Sequence, residues 1–428
     1  MFTRIQARHY RSLKFIDQPL DRFEALVGPN ASGKSTFLDL FAFLSDLMRS
    51  RGNVREATYK RSADFSRLLW NGEGSSFQIA VEASIPEDVR TRMAQAKQKY
   101  GLVRYEVEIG IDASRNEIGV NHEILRLLAN SVGNHVQSRT RQYAEVQEDD
   151  PERIFFLTDV PGMIETLPLV GIVDGRVEYY SEALERGEES FSISHPSRRK
   201  RSALANVLDD PDSFPVSLWF REFLENGIQS FILNSQVMRQ PSPPGLGLRF
   251  QPDGSNLPWA IDELARDQTR FSDWLDHVRT ALEEIRDIRT VERPEDRHRY
   301  LMIDYANGAT VPSWLVSDGT LCLLALTILP YLKDMNGVYL IEEPENGIHP
   351  QAVETVIQSL TSIYDGQVLI TTHSPGVVGQ LELEQILCFA KDEDGATEII
   401  SGDRHPRLSD WKRGQPDLSV LFASGILS

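Results

Sequence analysis

The chain has 428 residues, room for two or three lobes at roughly 150 residues each. Its 63 acidic against 45 basic residues leave a formal charge of −18, which excludes a wholly basic nucleic-acid-coating protein and leaves only a local patch to grip DNA or RNA. Two isolated cysteines, Cys322 and Cys388, exclude a disulfide framework and a cysteine-rich metal site, and a reducing cytoplasm is expected.

In chain order, residues 1–26 read as two short strands around Arg11-Ser12, the second of which, 23–27, runs into a glycine turn. A helix is predicted over 35–48, with Phe37, Leu38, Phe41, Leu44 and Met48 as its buried stripe. Residues 77–83, 103–111 and 117–124 alternate apolar with polar, the period of a half-buried antiparallel sheet. Between them 86–100 reads as a helix, with Pro86 opening it, Glu87 and Asp88 in the first turn, Lys97 and Lys99 in the last and Gly101 as the stop. From about 126 to 292 the composition turns polar, and the segment is expected to be an inserted, mainly helical lobe. Within it, 257–288 carries Leu264, Phe271, Leu275, Val278, Leu282 and Ile285 at 3/4 spacing, which favours an amphipathic packing helix over a short coiled-coil arm. In the last third, apolar strands at 338–341 and 367–371 follow helices at 320–329 and 350–364, the alternation of a largely parallel sheet. Residues 387–389 and 397–400 flank a turn at 391–395, which accounts for Asp392 and Asp394. The expected fold class is α/β, a mixed parallel sheet flanked by helices plus an antiparallel β subdomain, divided as 1–125, 126–292 and 293–428.

Gly28-Pro29-Asn30-Ala31-Ser32-Gly33-Lys34-Ser35 fits the phosphate-loop pattern GxxxxGK[ST], with an apolar strand before it and a helix, opening at Ser35-Thr36, after it. Glycines let such a loop wrap so that successive N–H groups point at phosphate oxygens, and the helix adds its positive end. Lys34 is placed to reach the β- and γ-phosphates of ATP and the Ser35 hydroxyl to ligate Mg²⁺. The apolar strand 338–341 ends in Glu342-Glu343, paired carboxylates whose natural partner is a cation. Glu342 is assigned to the outer shell of the metal and Glu343 to polarising the attacking water.

The phosphate loop, the segment Val316-Ser317-Asp318-Gly319-Thr320-Leu321, the acidic strand IEEPENGIHP at 341–350 and Thr371-Thr372-His373-Ser374-Pro375 occur together. The set resembles the ATP-binding-cassette heads of the SMC/RecF type, and most closely the soluble bacterial OLD (overcoming lysogenisation defect) ATPases, over residues 1 to about 125 and 300 to 400. The resemblance implies a P-loop NTPase with an ABC/SMC-type head split between 1–125 and 293–428. It implies that Ser317-Asp318-Gly319 is the signature that meets the γ-phosphate held by a second protomer, that His373 is the switch histidine, and that Arg11 lies against the nucleotide. Two features depart from the pattern: Glu342 stands where transporter cassettes carry aspartate, and the glutamine of a Q-loop has Gln78 as its nearest candidate.

The expected activity is Mg²⁺-dependent ATP hydrolysis in which head dimerisation controls a separate effector, a nuclease or toxin, in antiphage defence or a toxin-type system. Direct action on DNA, as in repair and chromosome maintenance, and a nucleotide-gated scaffold with negligible hydrolysis are the alternatives. The charge disfavours nucleic acid, and the basic run 198–201 is most simply a solvated loop. A homodimer or higher even oligomer is implied. An attached nuclease domain is not expected in the 55 residues after His373. The longest apolar run, 321–332, holds Pro330 and is shorter than the ~20 residues of a spanning helix. The N-terminus lacks the apolar core of an export signal, so no membrane role is expected and the location is cytoplasmic.

Overall fold

The computed structural model describes residues 1–112, 117–129, 166–173, 175–184, 192–196, 199–247, 249–333 and 335–406. They fall into two compact units. The first comprises the described residues of 1–21, 36–228 and 390–399, and the second those of 22–35, 229–389 and 400 onward.

The first unit is built on an eight-stranded sheet in the order Leu13–Pro19, Phe2–Tyr10, Ser76–Ser84, Tyr100–Asp112, Glu117–Ala129, Thr166–Val173, Arg176–Tyr180 and Ser192–Pro196, with every neighbouring pair antiparallel. The alternating stretches read from the sequence are the middle of this sheet. The helix Lys34–Arg49 buries its expected stripe of Phe37, Leu38, Phe41, Leu44 and Met48. Phe2 stands 5.2 Å from the ring of Phe41 and 5.1 Å from that of Phe223, on the helix Pro215–Asn226. Each buried ring of this kind contributes about 1.5–3 kcal/mol.

This unit also buries charge. Arg104, fully buried, donates to Glu106 Oε1 at 2.6 Å, Glu82 Oε1 at 2.9 Å and Gln6 Oε1 at 2.6 Å, so its fork is matched across three strands. Glu123 accepts from Tyr105 Oη, Ser202 Oγ and the backbone N–H groups of Ala203 and Leu204. Glu182 caps the helix Pro215–Asn226 from a distant part of the chain. Phe214 at the N-cap has no side-chain oxygen to offer, and Glu182 accepts from Val216 N, from Ser217 N at 3.0 Å and from Ser217 Oγ instead.

The stretch 86–100 departs from the expected helix. Only Glu87–Arg90 is α-helical, followed by a 3₁₀ turn at Gln95–Lys97, because Ala94 N donates to Glu182 O and leaves the helical ladder. The strand Tyr100–Asp112 begins before the expected stop at Gly101. In 126–292, the described residues hold helices at Pro215–Asn226, Ser235–Met238, Leu257–Leu264 and Gln268–Ala281, and strands from Thr166–Val173 to Ser192–Pro196 that belong to the antiparallel sheet. The polar stretches 145–152 and 185–191 lie outside the described residues. The two units divide this segment at Ile228.

The second unit holds the parallel strands. They belong to a six-stranded sheet in the order Ile228–Phe231, Val338–Glu342, Gln367–Thr372, Phe23–Val27, Ile386–Lys391 and Thr397–Ser401, of which residues 390–399 are counted with the first unit. Val338–Glu342 with Gln367–Thr372, Gln367–Thr372 with Phe23–Val27, and Ile386–Lys391 with Phe23–Val27 pair in parallel. Phe23–Val27 is buried along its whole length, as a central parallel strand covered on both faces must be. The register aligns Glu342 with Thr371 and Val27 with Thr372, which sets three carboxyl-terminal strand tips side by side. A three-stranded antiparallel sheet, Ile285–Glu292, Arg299–Tyr305 and Thr310–Pro312, leads into the helix Asp318–Thr327.

The 3/4 repeat at 257–288 is two helices and a strand, not one long helix or a coiled-coil arm. The first ends at Leu264, Asp267 caps the second by accepting from Arg270 N at 3.2 Å, and Ile285 has already entered a strand paired with Tyr305. Its apolar residues are spent on this unit's own core: Trp274 and Val278 are fully buried, and Trp274 Nε1 donates to Thr327 Oγ1 at 3.2 Å. Asp392 and Asp394 lie in the hairpin turn expected of them, where Asp392 Oδ1 accepts from Ala396 N at 2.7 Å.

Candidate active site

The loop after Phe23–Val27 has the geometry its glycines foretell. Gly28 has φ +155°, and a Cβ there would lie 2.2 Å from the carbonyl oxygen of Phe389, so no side chain is admitted. Ala31 and Gly33 have positive φ, at 62° and 110°, which turns the loop back on itself, and Ser32 N donates to Pro29 O at 3.3 Å. Asn30 and Ala31 are exposed at the rim.

Lys34, at the start of the helix, is almost wholly buried and donates through Nζ to the carbonyls of Gly28 and Pro29, at 2.8 Å each. Burial depresses its pKa to about 8, against the pull of Glu343 and then Glu342 that favours the charged form. Ser35 is exposed and donates to Glu342 Oε2 at 2.6 Å. A hydroxyl and a carboxylate meeting at a strand tip are hard oxygen donors suited to Mg²⁺. Among the described residues no group of three or more His, Cys, Asp or Glu is placed to hold a metal.

Glu343 follows Glu342 with φ +48°, a left-handed conformation uncommon for a residue with a side chain, held by its N–H donating to Thr371 O at 2.9 Å. Glu343 Oε1 lies 3.6 Å from His373 Nε2, and Asn346 Nδ2 donates to Glu343 Oε2. Thus Lys34, Ser35, Glu342, Glu343 and His373, drawn from three separate stretches of chain, meet at the tips of adjacent parallel strands, where ligands of open α/β sheets bind.

Ser317-Asp318-Gly319 forms the start of the helix Asp318–Thr327 in the same unit. Ser317 is its N-cap, accepting from Thr320 N at 3.2 Å, and Ser317 and Asp318 are exposed. A Cβ on Gly319 would lie 2.3 Å from Gly347 O, so the segment packs backbone-to-backbone on the turn that follows the paired acids. Arg11 belongs to the other unit. It lies 3.0 Å from Asp39, which also accepts from Tyr10 Oη and Arg61 Nε, and its φ is 51°. Gln78 is likewise in the antiparallel unit, donating to Glu108 Oε2 at 3.1 Å. Thr36 is half-buried on the first turn of the helix.

Sequence reasoning missed two residues. Glu345 accepts from Thr372 Oγ1 at 2.6 Å and His373 N at 3.3 Å, and its signal was a third acid in EEPEN. Arg239 donates to Val316 O and pairs with Asp318, at 2.9 Å each, from a segment with no local motif.

No curated protein sequence matches the chain. Solved structures similar to it include an SMC head bound to the C-winged helix domain of ScpA, at 13% identity over 93% of this chain and 96% of that one, with a TM-score of 0.48. An SMC head with an extended coiled coil, bound to the C-terminal domain of ScpA, from Pyrococcus furiosus has 13% identity, 96% and 99% coverage and a TM-score of 0.48. The SMC head domain from Thermotoga maritima has 10% identity, 94% and 98% coverage and a TM-score of 0.39. A sequence-family model matches residues 23–94 and 171–379, well over half of the chain and including most of the site. On that match, with its phosphate loop and acidic strand in place, the chain belongs to the family described as "AAA domain, putative AbiEii toxin, Type IV TA system".

Proposed function

We propose that the protein is a Mg²⁺-dependent ATP hydrolase whose site is completed by a second copy and whose head closure controls a separate effector protein. The observation that carries this reading is the convergence of Lys34, Ser35, Glu342, Glu343 and His373 on one set of strand tips.

The N–H groups of residues 30–35 at the helix N-terminus would receive the phosphates, and Lys34 would exchange the carbonyls of Gly28 and Pro29 for β- and γ-phosphate oxygens. Ser35 would hold Mg²⁺ directly and Glu342 through water. The ion supplies charge neutralisation on the phosphates. Glu343, oriented by Asn346, would polarise the attacking water, while His373, whose Nε2 lies 3.6 Å from Glu343 Oε1, would sense the γ-phosphate. The exposed Ser317 hydroxyl and the backbone N–H groups of Asp318 and Gly319 at this helix start are suited to the γ-phosphate of a partner copy, which would give a homodimer or a higher even oligomer.

Control of an effector, nuclease or toxin, as in antiphage or toxin-type systems, is supported by the family's description and by the net charge of −18, which disfavours direct action on DNA. No described helix is long and apolar enough to cross a membrane. Cys322 and Cys388 are free, as a reducing, cytoplasmic setting would leave them. Phosphate release from ATP by the purified chain, with and without EDTA, tests the reading. Turnover that needs Mg²⁺ is the expected result. Failure of the chain to bind ATP in calorimetry, or turnover indifferent to EDTA, would overturn it.

A further inference from the structure

Three acids follow one another in the stretch Glu342-Glu343-Pro344-Glu345, and the third has the most defined surroundings. Glu345 Oε1 accepts two hydrogen bonds from the neighbouring strand end, from Thr372 Oγ1 at 2.6 Å and from the backbone N–H of His373 at 3.3 Å. Thr372 Oγ1 in turn accepts from Ser374 N at 3.0 Å, so the turn carrying His373 is tied at both sides of the histidine. The backbone of Glu345 is fixed as well, its carbonyl accepting from Ile348 N at 3.1 Å. Its second oxygen, Oε2, is buried and has no partner among the described residues. Leaving that oxygen unpaired costs stability, so what the side chain contributes comes through Oε1, and both of its bonds go to the turn that carries His373.

We propose that Glu345 is a positioning residue: by clamping Thr372 and the His373 N–H it fixes the imidazole relative to Glu343, and so couples the turn after the paired acids to the histidine that meets the γ-phosphate. The inference rests on the reading of the site given above. Glu345 acts through the hydroxyl of Thr372 and the backbone of His373.

The test compares Glu345→Ala, which removes the acceptor, with Glu345→Gln, which keeps an oxygen for both donors. Thr372→Val is a second probe that removes the other end of the bond. Two readouts are taken on the full chain with Mg²⁺: ATP turnover, and the ring resonance of His373 in ¹³C-histidine NMR with ATP or ADP, assigned through His373→Gln. Glu345→Ala is expected to lower kcat about tenfold or more with KM for ATP within about threefold, and to abolish the difference between the ATP and ADP signals of His373. Thr372→Val should lower kcat in the same direction by less, and Glu345→Gln should keep both readouts. A wild-type His373 signal that differs between ATP and ADP and survives in Glu345→Ala overturns this inference alone. So does Glu345→Gln as impaired as the alanine variant, or KM rising in step with the loss of kcat. A wild-type signal that ignores ATP overturns the reading of the site, and this inference with it.

Discussion

In the antiparallel unit Glu82, Glu106, Glu123 and Glu182 are all buried and met by fixed donors, whereas in the parallel unit Glu342 is exposed and Glu343 and Glu345 are half-buried at strand tips. The partners differ as sharply as the burial. Arg104 and Arg126 sit in the same sheet as Glu106 and are themselves buried, so its main partners are held in place. Glu342 holds an exposed serine hydroxyl, and Glu343 an exposed asparagine and a histidine, all of which can be released to a ligand. Closed carboxylates fix register between strands, and open ones are the groups through which a charged ligand can act.

The largest effect that could break this comparison is on stability. Arg104→Ala would strand Glu106, Glu82 and Gln6 in the interior and should cost about 3–5 kcal/mol in denaturant unfolding. A loss under 1 kcal/mol would show that the buried network is not holding the sheet. Lys34→Ala should do the converse, lowering ATP binding and turnover by about 10²-fold or more while the unfolding midpoint moves little, since the hydrogen bonds of Lys34 among the described residues go to the carbonyls of its own loop. Equal losses of stability in the two variants would erase the distinction between the units.

Acidity sharpens the contrast within the antiparallel unit. Burial would raise Glu106, but Arg104, His122 and Arg126 overcome it and bring its pKa down to about 2, so its contribution is present above the ordinary 4.5 and lost as pH falls toward 2. Glu182 has the opposite sign. Burial outweighs its bonds from Ser217 and Val216 and raises it to about 7, so the folded state holds a proton that the unfolded chain releases from 4.5 upward. Stability should therefore decline between pH 4.5 and about 7, by on the order of 3 kcal/mol from this group, and level off above. Glu182→Gln should flatten that slope in pH-dependent unfolding; a slope that persists unchanged assigns it to other groups.

Much of the parallel unit was legible because each of its pieces carries a local signal: a glycine loop between strand and helix, acids at the end of an apolar strand, a histidine after another. Parallel pairing then aligns their tips although Ser35 and Glu342 are 307 residues apart. The arrangement around 257–288 was not legible, because a 3/4 apolar spacing persists through a break that only the cap at Asp267 marks. The helix expected over 86–100 failed for a tertiary reason, the hydrogen bond from Ala94 N to Glu182 O. Glu182 as a cap for Val216 and Ser217, and Arg239 as partner of Asp318, are contacts between distant segments that no window of sequence contains.

The proposed role of Glu343 is to act on water rather than to hold structure. Glu343→Gln keeps the size of the side chain and an acceptor for Asn346 but removes the charge, and it is read by ATP binding, single-turnover hydrolysis and sedimentation of the same sample. The predicted result is ATP binding within about threefold of wild type, hydrolysis lowered about 10²-fold or more, and accumulation of an ATP-bound dimer. Hydrolysis at the wild-type rate with Mg²⁺ present would contradict the assignment and the site built around it.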